Sequence, residues 1–194
     1  MLNPVTPRPG RPRDPAKDDA ALEATLALLA EVGFHRIRID DVATRAGVPK
    51  STIYRRWPSL NALIIDAYRV AFPEPDLDAD LAPLDALDAL IDHTIAMVNE
   101  NPLGESLPIA GATIMQEPEL ADEYRVSFVD PYWNGILSEL ERGEAEGVFT
   151  PQVPVEDVAS MLFGQCAFLM MFRGTQADAD AMKKSARVLL GVES

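Results

Sequence analysis

Residues 50–56 concentrate polar chemistry in a short stretch: Lys50, Ser51, Thr52, Tyr54, Arg55 and Arg56 supply three cations, two aliphatic hydroxyls and a phenol. Placed on a helix at 100° per residue with Ile53 inward, Trp57 falls near Ile53. Ser51 and Arg55 fall opposite, and Thr52 and Tyr54 flank them. Hydroxyls and guanidinium groups on one face suit phosphate oxygens and base edges. A helix that only packs has no use for them. Its N-terminus adds free backbone N–H groups for a phosphate. Bond-making chemistry is poorly provided for. There is no G-x-S-x-G elbow, no P-loop and no cluster of metal-ligand residues. The two histidines, His35 and His93, lie far apart in the sequence. Asp85, Asp88, Asp92 and His93 share a helix, with the carboxylates opposite its leucine stripe, which reads as a solvated face rather than a metal site. Cys166 has no basic neighbour to lower its pKa and reads as a buried structural thiol. No catalytic residue, metal or cofactor is expected.

The elements that must position residues 50–56 are legible around them. Asp14-Pro15 is a helix start, with Asp as N-cap and Pro at the first helical position. Leu22, Leu26, Leu29 and Val32 follow at helical spacing, and Gly33 is expected to end that helix in a left-handed conformation. A short helix begins near Asp40 and is broken by Gly47. Pro49 suits the first turn of the next, which runs to about Trp57. Two short helices joined by a glycine turn form the unit that sets its second helix in the major groove. The charge agrees. Residues 1–70 hold 11 Lys and Arg against 8 Asp and Glu, and the remainder holds 6 against 23. A net charge of −14 therefore hides a basic end. The acidic body repels DNA everywhere else. In the proline-rich residues 1–13, Arg11 and Arg13 either enter a narrow A·T-rich minor groove or belong to a solubilising tail.

The segment from Gly33 to Tyr68 resembles the TetR family of transcriptional regulators. The matching residues are Gly33-Phe34, Asp41-Val42-Ala43, Ala46-Gly47-Val48, Thr52-Ile53-Tyr54 and Trp57. The resemblance implies that Lys50, Ser51 and Thr52 meet base edges and phosphates. It implies that Tyr54, Arg55 and Arg56 hold the backbone, and that Thr44 and Arg45 end the helix lying across the groove wall. Two positions depart from the pattern. Arg38 stands where Ser or Thr is frequent before the second helix. Leu60 replaces a phosphate-contacting Lys at the start of the fourth.

The remainder reads as helical. Leu84, Leu87, Ile91, Ile95 and Val98 make one stripe, and a weaker helix covers about residues 107–115. Pro118 opens a stretch to Glu146 that Pro131 must kink or split. Val155 to Phe172 is strongly apolar, and a last helix covers about residues 177–190. The expected fold is all-α with about nine helices: a basic arm at 1–13, a helix-turn-helix DNA-binding domain at 14–58, and an effector-binding and dimerisation domain at 59–194. No run of 18 consecutive apolar residues marks a membrane span, the N-terminus lacks a secretory h-region, and the chain is expected in the cytoplasm, with no membrane partner. Methionines and aromatics line adaptable pockets as well as cores. By resemblance, a small apolar or amphipathic effector sits among helices five to eight, with Met97, Met115, Phe128, Trp133, Phe163 and Met170 as its lining. Resemblance also makes the protein a homodimer through its last two helices, where Gly164 and Ala167 allow close approach. Such a dimer reads a palindromic double-stranded DNA operator as a ligand-released repressor. The alternatives are an enzyme using the same cavity and a protein-interaction module that no longer binds DNA.

Overall fold

The computed structural model describes residues 14–75, 77–78 and 80–192, so the arm with Arg11 and Arg13 lies outside the described residues. Every regular element among the described residues is helical. In order they are α1 (Pro15–Val32), α2 (Ile39–Ala46), α3 (Lys50–Arg56), α4 (Leu60–Ala71), α5 (Pro83–Glu100), α6 (Leu107–Ile114), α7 (Pro118–Tyr124), α8 (Asp130–Ala145), α9 (Val155–Phe168) and α10 (Ala179–Leu190). α7 and α8 run into one another through a π turn, Arg125–Val129. Taken as one bent helix, they leave nine among the described residues.

The stops have local causes. Gly47 ends α2 in the left-handed region at φ 64° and ψ 24°, where a Cβ is penalised. Gly33 departs from expectation. Its φ of 77° is the positive value that favours glycine, but its ψ of 167° lies outside the left-handed helical well. The reason lies downstream, where the Gly33 carbonyl accepts from the N–H groups of Arg36 and Ile37 at 3.2 and 3.3 Å. The stretch that Pro131 is expected to kink or split is divided into α7 and α8 by the π turn. Proline lacks an N–H and crowds the carbonyl one turn back. The chain absorbs this in the π turn just upstream, where the Asp130 N–H reaches the Arg125 carbonyl. A second π turn, Leu169–Arg173, follows α9 and closes on the Gly174 N–H at φ 58°. Together α9 and this turn make a 19-residue segment long and apolar enough, by length and composition, to cross a membrane. One face of it lies against α8 and α10, and much of the rest is exposed in the single chain.

Two apolar cores form. One joins α1–α4 to the inner faces of α6 and α7, including Leu107, Ile114, Leu120 and Tyr124. The other is built by α5, α8, α9 and α10. The packing does not part at residue 58. Leu63, Ile64, Ile65 and Tyr68 of α4 are fully buried with the first three helices, each burial stabilising by roughly 1.5–3 kcal/mol. The carboxylates of α5 are not simply solvated. Asp88 is gripped by both terminal nitrogens of Arg187, and Asp92 pairs with Lys183 at 2.6 Å, so the polar face of α5 docks α10.

Candidate nucleic-acid interface and effector cavity

α3 is held by its inward side. Ile53 and Trp57 are buried, and the Trp57 indole N–H donates to Asp66 of α4 at 2.8 Å. Ser59 caps α4 by accepting from the Ala62 N–H at 3.1 Å. These contacts fix α3 and leave its other face outward. Lys50, Ser51, Tyr54, Arg55 and Arg56 are exposed there, and Thr52 is half-buried at the flank. Tyr54, a large aromatic, remains 48% exposed, which core packing does not explain. Thr44 and Arg45 are exposed at the end of α2, with the Thr44 hydroxyl donating to the Asp40 carbonyl.

The cations of this face are not equivalent. Lys50 pairs with Asp40 at 2.6 Å and Arg45 with Glu31 at 2.8 Å. Arg56 leans on Asp18 at 3.6 Å and lies over the Trp57 ring. The Asp40 hydrogen bond and charge raise the Lys50 pKa, keeping the amine protonated. Arg55 makes no ion pair among the described residues, so it is the cation most available to a phosphate. The sequence marks Asp40 as a helix start but not as a partner of Lys50, and it does not mark Glu31 at all. Both face the cations from other helices, and no local spacing reveals that.

A cavity of about 250 Å3 lies among α5, α6, the end of α7, both π turns, α8, α9 and α10. Met97, Phe128, Phe163 and Met170 line it. Trp133 stands behind Phe163, ring centroids 5.7 Å apart, and does not line it. Met115 also lies outside, because α6 ends at Ile114 and turns Met115 outward, 49% exposed. No charged side chain contributes to the walls. Burial raises the Cys166 pKa, leaving a neutral thiol.

The cavity wall is continuous with α4. Phe128 stacks on Tyr124 at 5.4 Å, meets Phe72 edge-on at 5.8 Å, and reaches Tyr68 at 6.4 Å and Tyr132 at 5.9 Å. The Tyr132 hydroxyl donates to the Phe72 and Pro73 carbonyls just after α4, at 3.1 and 2.9 Å. Burial, with Glu74 adding, pushes its pKa up to about 12. At the opposite end of α4, the Asn61 amide donates to the Glu117 carboxylate at the start of α7. Between them, the Tyr68 and Ser106 hydroxyls are bonded at 2.8 Å. α4 is thus bound along its length both to α1 and to the cavity helices.

Comparison with known proteins decides the family. Residues 21–67 match the model for bacterial regulatory proteins of the tetR family, and residues 74–189 match a tetracyclin repressor-like C-terminal domain. The chain belongs to the TetR family. It is a helix-turn-helix transcriptional regulator. It is 28% identical to the HTH-type transcriptional regulator YdeS of Bacillus subtilis over 87% of this chain and 85% of that protein. It is 40% identical over 72 residues to the regulator Mb1581 of Mycobacterium bovis, covering 35% of this chain and 36% of that protein. Among solved structures, a transcriptional regulator from Saccharomonospora viridis in complex with choline superposes with TM-score 0.70 at 20% identity. That match covers 92% of this chain and 97% of the other. TetR-family regulator SCO0332 superposes with TM-score 0.66 at 23% identity, covering 92% and 98%. At these identities the structural neighbours speak to fold alone. As a TetR-family chain, this one departs at Leu60, which is half-buried against the first core and offers no charge at the start of α4.

Proposed function

We propose that the protein is a ligand-responsive repressor that binds a palindromic operator as a homodimer in the cytoplasm and releases it when a small apolar molecule enters the cavity. The observation that carries this reading is the Phe128 stack. A single ring forms part of the cavity wall and packs on Tyr68 of α4 and on Phe72, the residue that ends it. A molecule that moves Phe128 moves the helix holding Trp57, and with it α3. The ligand must bind the released state more tightly than the DNA-bound one, or it shifts nothing.

The DNA contacts fall to Ser51, Thr52, Tyr54 and Arg55 on the open face, with Lys50, Arg45 and Arg56 exchanging their carboxylates for phosphates and Thr44 at the groove wall. Arg11 and Arg13 remain candidates for the minor groove. Dimerisation falls to α9 and α10. Met161, Phe168, Met171 and Phe172 are large apolar side chains left exposed along α9 and its π turn, and Val188 is 66% exposed on α10. Gly164 and Ala167 lie exposed among them, with open space where a Gly164 Cβ would point. Exposed apolar surface of this extent marks an interface. The neighbour from Saccharomonospora viridis holds choline. In this chain the cavity offers aromatic faces but no carboxylate, which favours an uncharged effector.

The test is binding to DNA from the gene's own upstream region across a salt series, with and without apolar ligands. Tight, selective binding with a steep salt slope, reversed by a ligand, is expected. Failure to bind either that DNA or any sequence selected from a random pool would overturn the reading.

A further inference from the structure

Three buried tyrosines surround the Phe128 stack, and their hydroxyls differ. Those of Tyr68 and Tyr132 are bonded within the protein. Tyr124 is 6% exposed, lines the cavity, and its hydroxyl has no hydrogen-bond partner among the described residues. Among the described residues no buried side-chain oxygen or nitrogen is both sealed off and unpartnered, so this hydroxyl is within reach of a water-sized group. Its helix partner leaves the room. A Cβ at Gly111 of α6 would stand 2.9 Å from the Tyr124 oxygen, against which α6 presents only hydrogen. The other polar groups in the lining are already engaged. The Thr94 hydroxyl donates to the Leu90 carbonyl at 2.8 Å, and the Cys166 thiol lies 3.8 Å from the Met170 sulfur. Tyr124 therefore holds the one hydroxyl proton in the lining without an acceptor.

We propose that the Tyr124 hydroxyl is the polar anchor of the cavity, and that the effector is an uncharged molecule with an apolar body and one hydrogen-bond acceptor, such as a ketone, ester or ether oxygen. This rests on reading the cavity as the effector site and narrows what fills it. The hydroxyl has no acceptor within the protein, and an acceptor delivered by a ligand pairs with it in place of water. Burial raises the Tyr124 pKa, so the group donates rather than carrying charge. A charged effector would lose its hydration with no opposite charge in the walls to replace it. The anchor also connects to the DNA-binding end. Tyr124 stacks directly on Phe128, so an acceptor that draws on its hydroxyl acts on the ring that meets α4.

Three probes of one shape separate the possibilities: tetralin, 1-tetralone and tetralin-1-carboxylate, titrated calorimetrically into the full-length protein and its Tyr124→Phe variant. The ketone is expected to bind the unaltered protein roughly three- to tenfold more tightly than the hydrocarbon, the worth of one neutral hydrogen bond. The carboxylate is expected to bind more weakly than either. In Tyr124→Phe the ketone's advantage disappears while tetralin affinity holds. The variant deletes only an unpartnered oxygen, so its melting temperature stays equal or rises, which shows that it folds. Equal binding of ketone and hydrocarbon, survival of the advantage in Tyr124→Phe, or preference for the carboxylate would each overturn the anchor while leaving the cavity as effector site. Binding of none of the three would overturn the cavity reading, and the anchor with it.

Discussion

The outer face of α3 and the walls of the cavity are both places where side chains lack protein partners, yet they differ in kind. On α3 the unpartnered groups are polar, led by Arg55, with an aromatic, Tyr54, left in water. In the cavity they are almost all apolar, the Tyr124 hydroxyl being the exception. The first pattern shows in sequence, because a packing helix would not choose those residues. The second does not, because a methionine lining a cavity and one filling a core sit in the same local sequence. A site for a polyanion is written in residue type. A site for an apolar molecule is written in incomplete packing, which only the fold reveals.

The comparison implies a separation of effects. Substitutions on exposed surfaces should change assembly or DNA affinity without unfolding the chain, and truncation of an apolar ring in the cavity wall should cost stability while sparing DNA affinity. The largest effect is expected at the third unpartnered surface, the apolar strip on α9. Phe172 is 73% exposed in the single chain, so Phe172→Asp has little folded contact to lose. If the strip is the dimer interface, a carboxylate buried there costs about 3–5 kcal/mol. Sedimentation should then show monomer at micromolar concentration, with operator affinity down at least ~100-fold. A dimer that persists unchanged would place the contact between copies elsewhere.

Phe128→Ala comes next and tests the wall. The side chain is half-buried among four rings, so truncation should cost about 2–3 kcal/mol of folding stability, at the lower end for large-to-small core changes. The sharper outcome is uncoupling. Operator binding should persist at low temperature while ligand no longer releases it. A variant that binds ligand and still lets go of DNA would remove Phe128 from the connection.

How much of this was legible from sequence follows from what is local. Gly47, Pro118 and the start of α1 at Pro15 act within one turn, and the boundaries they imply match the helices found. Pro131 announced a disturbance, but not its form, a π turn closed by the Asp130 N–H on the Arg125 carbonyl. The pairing of Asp88 and Asp92 with α10 involves residues about a hundred positions apart. Helical periodicity placed them correctly on the outer face of α5 but could not say that α10 covers it. Met115 and Trp133 illustrate the same limit. Their type suited a pocket, and the last turn of α6 and the ring of Phe163 set them outside it. Tyr124 escaped notice because its distinction is a missing partner.

Arg55→Ala should show the opposite profile to Phe128→Ala. Arg55 is exposed and makes no ion pair among the described residues, so stability should move by less than about 0.5 kcal/mol. Operator affinity should fall by roughly tenfold, the worth of a lost guanidinium contact. If the loss is uniform across operator variants, Arg55 meets phosphate. If it is confined to substitutions at one base pair, Arg55 reads a base. Unchanged affinity would remove the centre of the α3 face from the DNA contacts.

The smallest effect runs in the opposite direction. Asp40 occupies the amine of Lys50 at 2.6 Å, acting as a built-in counterion that phosphate must displace. An exposed pair of this kind is worth little, so Asp40→Asn should tighten DNA binding by no more than ~5-fold. The Lys50 pKa, held up by Asp40, moves back toward the ordinary lysine value and the amine stays protonated at neutral pH. The gain is therefore charge released, not charge created. Freed of its internal partner, Lys50 should release one more ion from the DNA, steepening the slope of log affinity against log salt by up to about one. The gain should be largest on nonspecific DNA, where phosphates are the main attraction. Tighter binding with an unchanged slope would mean that Asp40 acts by repelling the backbone rather than by holding Lys50.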